Sequence, residues 1–125
     1  MKKEYRIKKS DEIEIVMKKG QSKANRVFIV YKYENPHNKK YRIAISAPKK
    51  LGRAVIRNKV KRQIRAILQQ NACYLKNGCD YFIIARPEIL EIDFSAITKQ
   101  MIHVLKLVHH IPQKKSGKQK LGDES

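Results

Sequence analysis

Eight Lys and Arg crowd into the segment Lys49–Arg65, and the longer stretch between Glu34 and Asp80 carries twelve of them without a single Asp or Glu. An ordinary surface helix intersperses acids among its bases, because like charges one turn apart repel by roughly 0.2–0.5 kcal/mol. Here that compensation is missing, so the negative charge must come from outside the chain. Phosphate is the ligand these residue types suit: the planar fork of Arg grips it through two parallel hydrogen bonds, Lys adds a point charge, and Asn58 sets a neutral donor and acceptor among the cations. A solvated helix face is the blander reading of such a run. Uncompensated charge backed by a loop and a tail of the same sign favours phosphate.

Bond-breaking chemistry has few candidates. His103 and His110 stand seven positions apart and can share a helix face, with His109 beside them, but no acid is placed to orient either as a base. Glu88, Glu91 and Asp93 cluster where a helix should start, a pattern commoner as helix-start electrostatics than as a metal site. Cys73 and Cys79 are six apart with no His nearby, which is neither a zinc spacing nor a disulfide framework, so both are expected to be reduced and inert. No Gly-rich phosphate loop, serine elbow or zinc signature is present. Tyr31, alternating with Ile29 and Val27, offers a ring on which a base can stack; Tyr33 and Phe28 are weaker candidates, and core packing is the rival reading for all of them.

These residues need a scaffold, and 125 residues suffice for one domain with one modest core. A formal charge of +18 exceeds what solubility needs and points to a nucleic acid more than to a membrane. No apolar run approaches the roughly 18 residues of a spanning helix, and Met1-Lys2-Lys3-Glu4 does not open a signal peptide, so a cytoplasmic protein is expected.

Ser10 should cap a short helix with Ile13, Val16 and Met17 on one face and Gly20 at its end. The β-branched and aromatic run from Arg26 to Tyr33 predicts a strand, and Asn35-Pro36-His37-Asn38 a turn leading to a hairpin partner over Tyr41–Ala47. After Pro48 and a loop at Gly52, a helix is predicted from about Ala54 to Leu75. Ile56, Val60, Ile64, Ile67 and Leu68 form its inward stripe, with Asn58, Lys61, Arg62 and Arg65 opposite. Asp80–Arg86 reads as an interior strand ended by Pro87. A last helix from near Asp93–Ser95 turns Ile97, Met101, Val104, Leu105 and Val108 inward. The order is α, β, β, α, β, α, with room for a further strand piece near the first hairpin, and the class is α+β. Residues 1–111 form the domain and residues 112–125 a disordered basic tail.

The segment Lys49-Lys50-Leu51-Gly52-Arg53-Ala54-Val55-Ile56-Arg57-Asn58-Lys59-Val60-Lys61-Arg62-Gln63-Ile64-Arg65 resembles the signature of the bacterial ribonuclease P protein subunit. Tyr5–Lys9, Gly20-Gln21-Ser22, Ala24-Asn25-Arg26 and Ile84-Ala85-Arg86 extend the resemblance over all but the tail. It implies a single-domain α/β sandwich of about four mostly antiparallel strands and three helices, with a left-handed crossover between two parallel strands, a fold type shared with a ribosomal protein domain. It also implies an endoribonuclease whose RNA subunit is the catalyst. That RNA uses magnesium, which it mainly holds itself, to release the 5′ leader of precursor transfer RNA; the protein alone is inactive and requires no protein partner. By the same resemblance Lys49, Arg53, Arg57, Asn58, Lys59, Lys61, Arg62 and Arg65 bind the RNA subunit. Ile13, Met17, Tyr31, Lys50 and Arg86 line a cleft for the leader, with Arg26 at a strand end in a less defined role. Ile13 and Met17 depart from the family pattern, which is usually aromatic there; a polarizable Met still contacts a base but stacks less well than a ring.

Two other functions fit the composition. A structural RNA-binding protein, such as a ribosomal component, would have the charge without the leader cleft. A self-sufficient nuclease would need His103 or His110 as its base.

Overall fold

A computed structural model describes residues 5–109, so His110 and the tail at 112–125 lie outside the described residues. The elements are α1 (Ser10–Lys19), β1 (Gln21–Ala24), β2 (Phe28–Glu34), β3 (Arg42–Ser46), α2 (Ala54–Gln70), β4 (Cys79–Ala85) and α3 (Phe94–His109). Short 3-10 turns occupy Lys49–Leu51, Ala72–Tyr74 and Pro87–Glu91. The four strands form one sheet in the order β1-β2-β4-β3, antiparallel except for the parallel pair β3 and β4 that α2 connects. This is the α+β class expected, and β4 is the interior strand that its apolar run predicts.

Alternation along the strands assigns the layers. Phe28, Val30, Ile43, Tyr81 and Ile83 face the main core, where they meet Val60, Ile64, Ile67 and Leu68 of α2 and Ile97, Met101, Val104, Leu105 and Val108 of α3. The five inward positions of α3 are those its periodicity gives. The other face carries a smaller cluster in which Val16 of α1 packs with Ile7 and Ala44, flanked by Ile13, Tyr31, Tyr33 and Phe82. Among the described residues α1, ten residues long, and Ile7 of the segment before it cover that face, and Tyr31, Tyr33 and Phe82 stay half-buried.

Several expectations are corrected. Tyr41–Ala47 is not the hairpin partner of β2, because β4 lies between β2 and β3. The turn instead binds the start of β4: Asn35 N–H donates to the Gly78 carbonyl at 2.7 Å, and the Asn35 and Asn38 amides donate to the Asp80 carboxylate at 3.1 and 2.7 Å. Those bonds carry the chain past β4 before β3 begins. Ser10 is the first residue of α1 and not its cap; Lys9 holds the cap position without a side-chain bond. α2 ends at Gln70, five residues before Leu75: the Asn71 backbone leaves helical geometry at φ −123° and ψ 33°, and its side-chain amide donates back to the Ile67 carbonyl at 2.9 Å. Ile56 lies on the stripe yet stays 39% exposed, since the first turn of α2 overhangs the end of the core.

Candidate nucleic-acid interface

The sheet topology gathers cations at one end. β3 and β4 run parallel, so the turn after β3, the start of α2 and the residue after β4 emerge together, and antiparallel β2 begins there as well. Lys49 and Lys50 on the 3-10 turn, Arg53 before α2, and Arg26 and Arg86 at the strand ends are all exposed at this end. Gly52 makes the bend possible: its φ of 132° lies where an L side chain is strained. Arg86 donates from Nη1 to the Asn25 carbonyl at 3.1 Å, and Arg26 pairs with Glu88 at 3.0 Å.

Along α2, Asn58, Lys59 and Arg62 are exposed while Arg57, Lys61 and Arg65 are half-buried. Arg57 donates from Nε to the Ala47 carbonyl at 2.8 Å, tying the loop to the helix and leaving the ends of its fork for another partner. Among the described residues no ion pair joins any of the eight cations of Lys49–Arg65 to a carboxylate. α2 also begins without a side-chain cap and without an acid in its first turn. Both features leave positive potential unanswered at its start.

The partly uncovered sheet face provides a different chemistry. Tyr31 and Phe82, paired across β2 and β4, stack at 6.2 Å between ring centroids, and both are half-buried. Ile29 and Ile84, the next pair toward the cationic end, are half-buried too. Ile13 packs against this cluster, whereas Met17 lies outside both core clusters and is 43% exposed. Tyr31 and Ile13 pack against the same small cluster, Lys50 and Arg86 are exposed at the cationic end of the sheet, and Met17 lies apart from the cluster. Phe28 is fully buried in the main core, which leaves it no ligand role. Phe82 and Ile84 are missed by sequence reasoning, since a continuous apolar run gives no sign that alternate residues face an open surface.

Arg65 is the placement that departs most from expectation. It lines a cleft at the β3 edge together with Ile13, and so joins residues assigned to separate surfaces. Burial, followed by the charge of Arg6, lowers its pKa. Arg42, by contrast, is taken up by structure. It donates to Asp80 from Nε and Nη2, each at 3.0 Å, and to Glu12 at 3.3 Å, and its bonds to Asp80 raise its pKa against the opposing effect of burial.

The remaining polar candidates have structural partners. His103 Nδ1 lies 3.2 Å from the Asn25 amide, and the Asp93 carboxylate accepts from Ala96 N–H at 2.8 Å, capping α3. Burial, the leading cause, pushes the Cys79 thiol up, as suits an inert cysteine; Cys73 is exposed. Among the described residues no group of three or more His, Cys, Asp or Glu forms a possible metal site, and no helix is long and apolar enough to cross a membrane.

Comparison with known proteins gives a consistent result. The family described as Ribonuclease P matches residues 1–109. The ribonuclease P protein component of Ligilactobacillus salivarius is 46% identical over 107 residues, covering 86% of this chain and 95% of that protein. Among solved structures, the RNase P protein of Staphylococcus aureus superposes with a TM-score of 0.77 at 40% identity, covering 82% of this chain and 94% of the other. The RNase P protein of Thermotoga maritima gives a TM-score of 0.74 at 28% identity, with 82% and 96% covered.

Proposed function

This chain belongs to the bacterial ribonuclease P protein family, the protein subunits of an endoribonuclease that processes transfer RNA, and from that premise we infer that it binds two RNAs through two surfaces. The α2 face of Asn58, Lys59, Lys61 and Arg62, with Lys49, Arg53 and the free end of Arg57, binds the RNA subunit. The sheet face around Tyr31, with Ile13 and Met17 beside it and Lys50 and Arg86 at its rim, takes the unpaired 5′ leader of precursor transfer RNA. Both partners meet the chain in the cytoplasm.

One observation carries this reading: the unpaired cations of α2 and the half-buried rings of the sheet are separate surfaces that share the cationic end of the sheet. A strand leaving the RNA subunit can therefore reach the cleft past the exposed cations Lys49, Lys50, Arg53 and Arg86. Magnesium bound to the RNA supplies the hydrolytic chemistry. Among the described residues of this chain no group of three or more His, Cys, Asp or Glu stands ready to hold it. The chain's own part is to neutralise phosphates and to hold the leader in line.

The test is a pair of variants in the reconstituted complex. Arg62→Ala should weaken binding to the RNA subunit and flatten its log–log salt dependence by about one unit. Tyr31→Ala should weaken precursor binding by an amount corresponding to about 1–3 kcal/mol, only when the leader is present, with little change in salt slope. Indistinguishable effects from the two variants would contradict two distinct surfaces. A structural RNA-binding protein, the alternative reading, would be indifferent to trimming the leader.

A further inference from the structure

The cleft at the edge of β3 contains cations that neither the α2 face nor the sheet face explains. The segment before α1 runs beside β3: Arg6 bridges to Ile43 in parallel, and Ile7 N–H donates to the Ile43 carbonyl at 2.9 Å. Arg6 and Lys8 are thereby set with Arg65 of α2 around a cleft of about 420 Å³ that has Ile13, Ile43 and Ile45 in its wall. That size lies within the range of roughly 300–1,000 Å³ usual for small-ligand sites. Among the described residues no carboxylate lines it.

The arrangement sets like charges side by side. Arg65 is partly withdrawn from water and lies close enough to Arg6 for the two charges to disfavour each other, which is why its pKa falls. A single anion between them would relieve both effects. The apolar wall excludes a bare inorganic ion as the best fit and suits an anion joined to a hydrophobic ring.

We propose that Arg6, Lys8 and Arg65 form a pocket for one phosphodiester of an unpaired RNA strand, with the adjoining sugar or base resting on Ile13 and Ile45. The strand is that of the leader if the neighbouring cleft holds the leader, the reading on which this assignment of source rests. The segment before α1 then becomes part of the binding site, and Arg65 serves the strand in the cleft instead of the surface Arg62 presents.

The full chain, reconstituted with its RNA subunit, tests this with Arg6→Gln, Arg65→Gln and the double variant. Arg6→Gln leaves the backbone bridge to Ile43 in place. Each single variant should lower affinity for a long-leader precursor roughly tenfold, as expected for a charged hydrogen bond. The double variant should lose little more, because both side chains grip the same phosphate, and its log–log salt slope should fall by about 0.7 in total. Affinity for the RNA subunit alone, measured in parallel, identifies the source: a loss confined to long leaders marks a leader phosphate, and a loss confined to the subunit marks one of its phosphates. Unchanged affinity and slope in both measurements would overturn the pocket. So would a lowered unfolding midpoint with equal losses for leaderless and long-leader precursors, because relief of repulsion should leave the midpoint level or raise it. Tyr31→Ala, run alongside, separates the two ideas: if that variant alone leaves leader binding intact, the cleft assignment fails while the pocket stands.

Discussion

Arg42 and Arg62 carry the same guanidinium to different ends. Arg42 grips both oxygens of Asp80, whose side chain is 2% exposed, and joins β3 and β4 to Glu12 of α1. Removing one partner of such a pair leaves a buried charge uncompensated, so Arg42→Ala should cost about 3–5 kcal/mol in urea unfolding. Arg62 touches no acid among the described residues and is exposed; Arg62→Ala should leave the unfolding curve within about 0.5 kcal/mol of the parent. The difference bears on what the acid-free stretch can reveal. Arg62 is legible because its helical neighbours are themselves in sequence, and the stripe opposite them is apolar. Arg42 is not, because Asp80 lies 38 residues away and only the sheet brings them together. The one available signal is that Asp80 is a lone carboxylate opening an apolar strand, a position where a charge needs a partner. Arg65 sits between these cases: its helix and its outward direction follow from periodicity, but its neighbour Arg6 depends on how the N-terminal segment lies along β3.

The position of α1 decides how much of the sheet face stays open. Gly20 is where α1 gives way to β1 and passes tightly over β2: a Cβ there would come within 2.4 Å of the Val16 carbonyl oxygen and 2.6 Å of the Lys32 carbonyl oxygen. Backbone cannot yield as a flexible side chain can. Gly20→Ala should therefore destabilise by about 1–3 kcal/mol. The helix it displaces carries Ile13 and Met17, so leader affinity should fall while affinity for the RNA subunit is unchanged; thermal melts and the two binding assays check the pair of effects. Helices were readable here where strand partners were not. The five buried residues of α3 follow from a 3.6-residue period, a local property. Partnership between strands is nonlocal, and the Asn35–Asn38 turn, a good hairpin signal, is instead held by Gly78 and Asp80 at the start of β4. The apolar, interior character of β4 was evident, but its place between β2 and β3 needed contacts that no short window contains.

At the scale of the whole molecule, a charge of +18 opposes folding of the free chain and favours its association with RNA. The core must supply the stability, and part of it responds to alkali. Burial pushes up the pKa of Cys79 from its ordinary 9.0 and, more strongly, that of Tyr81 from 10.0. Because the folded chain holds these protons more tightly than the unfolded one, their contribution is intact below pH 9 and is lost as pH rises through the raised values. Urea unfolding at stepped pH should thus show stability falling from about pH 9 upward, with the steeper loss above pH 10, and Cys79→Ala should remove the earlier part of the fall. The same charge bears on function. Two RNAs brought together repel through their phosphates, and a polycation placed between them replaces counterions that magnesium would otherwise have to provide. The most direct test is cleavage of precursor transfer RNA by the RNA subunit at low magnesium, with the full chain added or omitted. Added chain should restore release of the 5′ leader where the RNA alone is nearly inactive, while the chain alone cleaves nothing. Identical cleavage with and without the chain, or cleavage by the chain alone, would contradict the account.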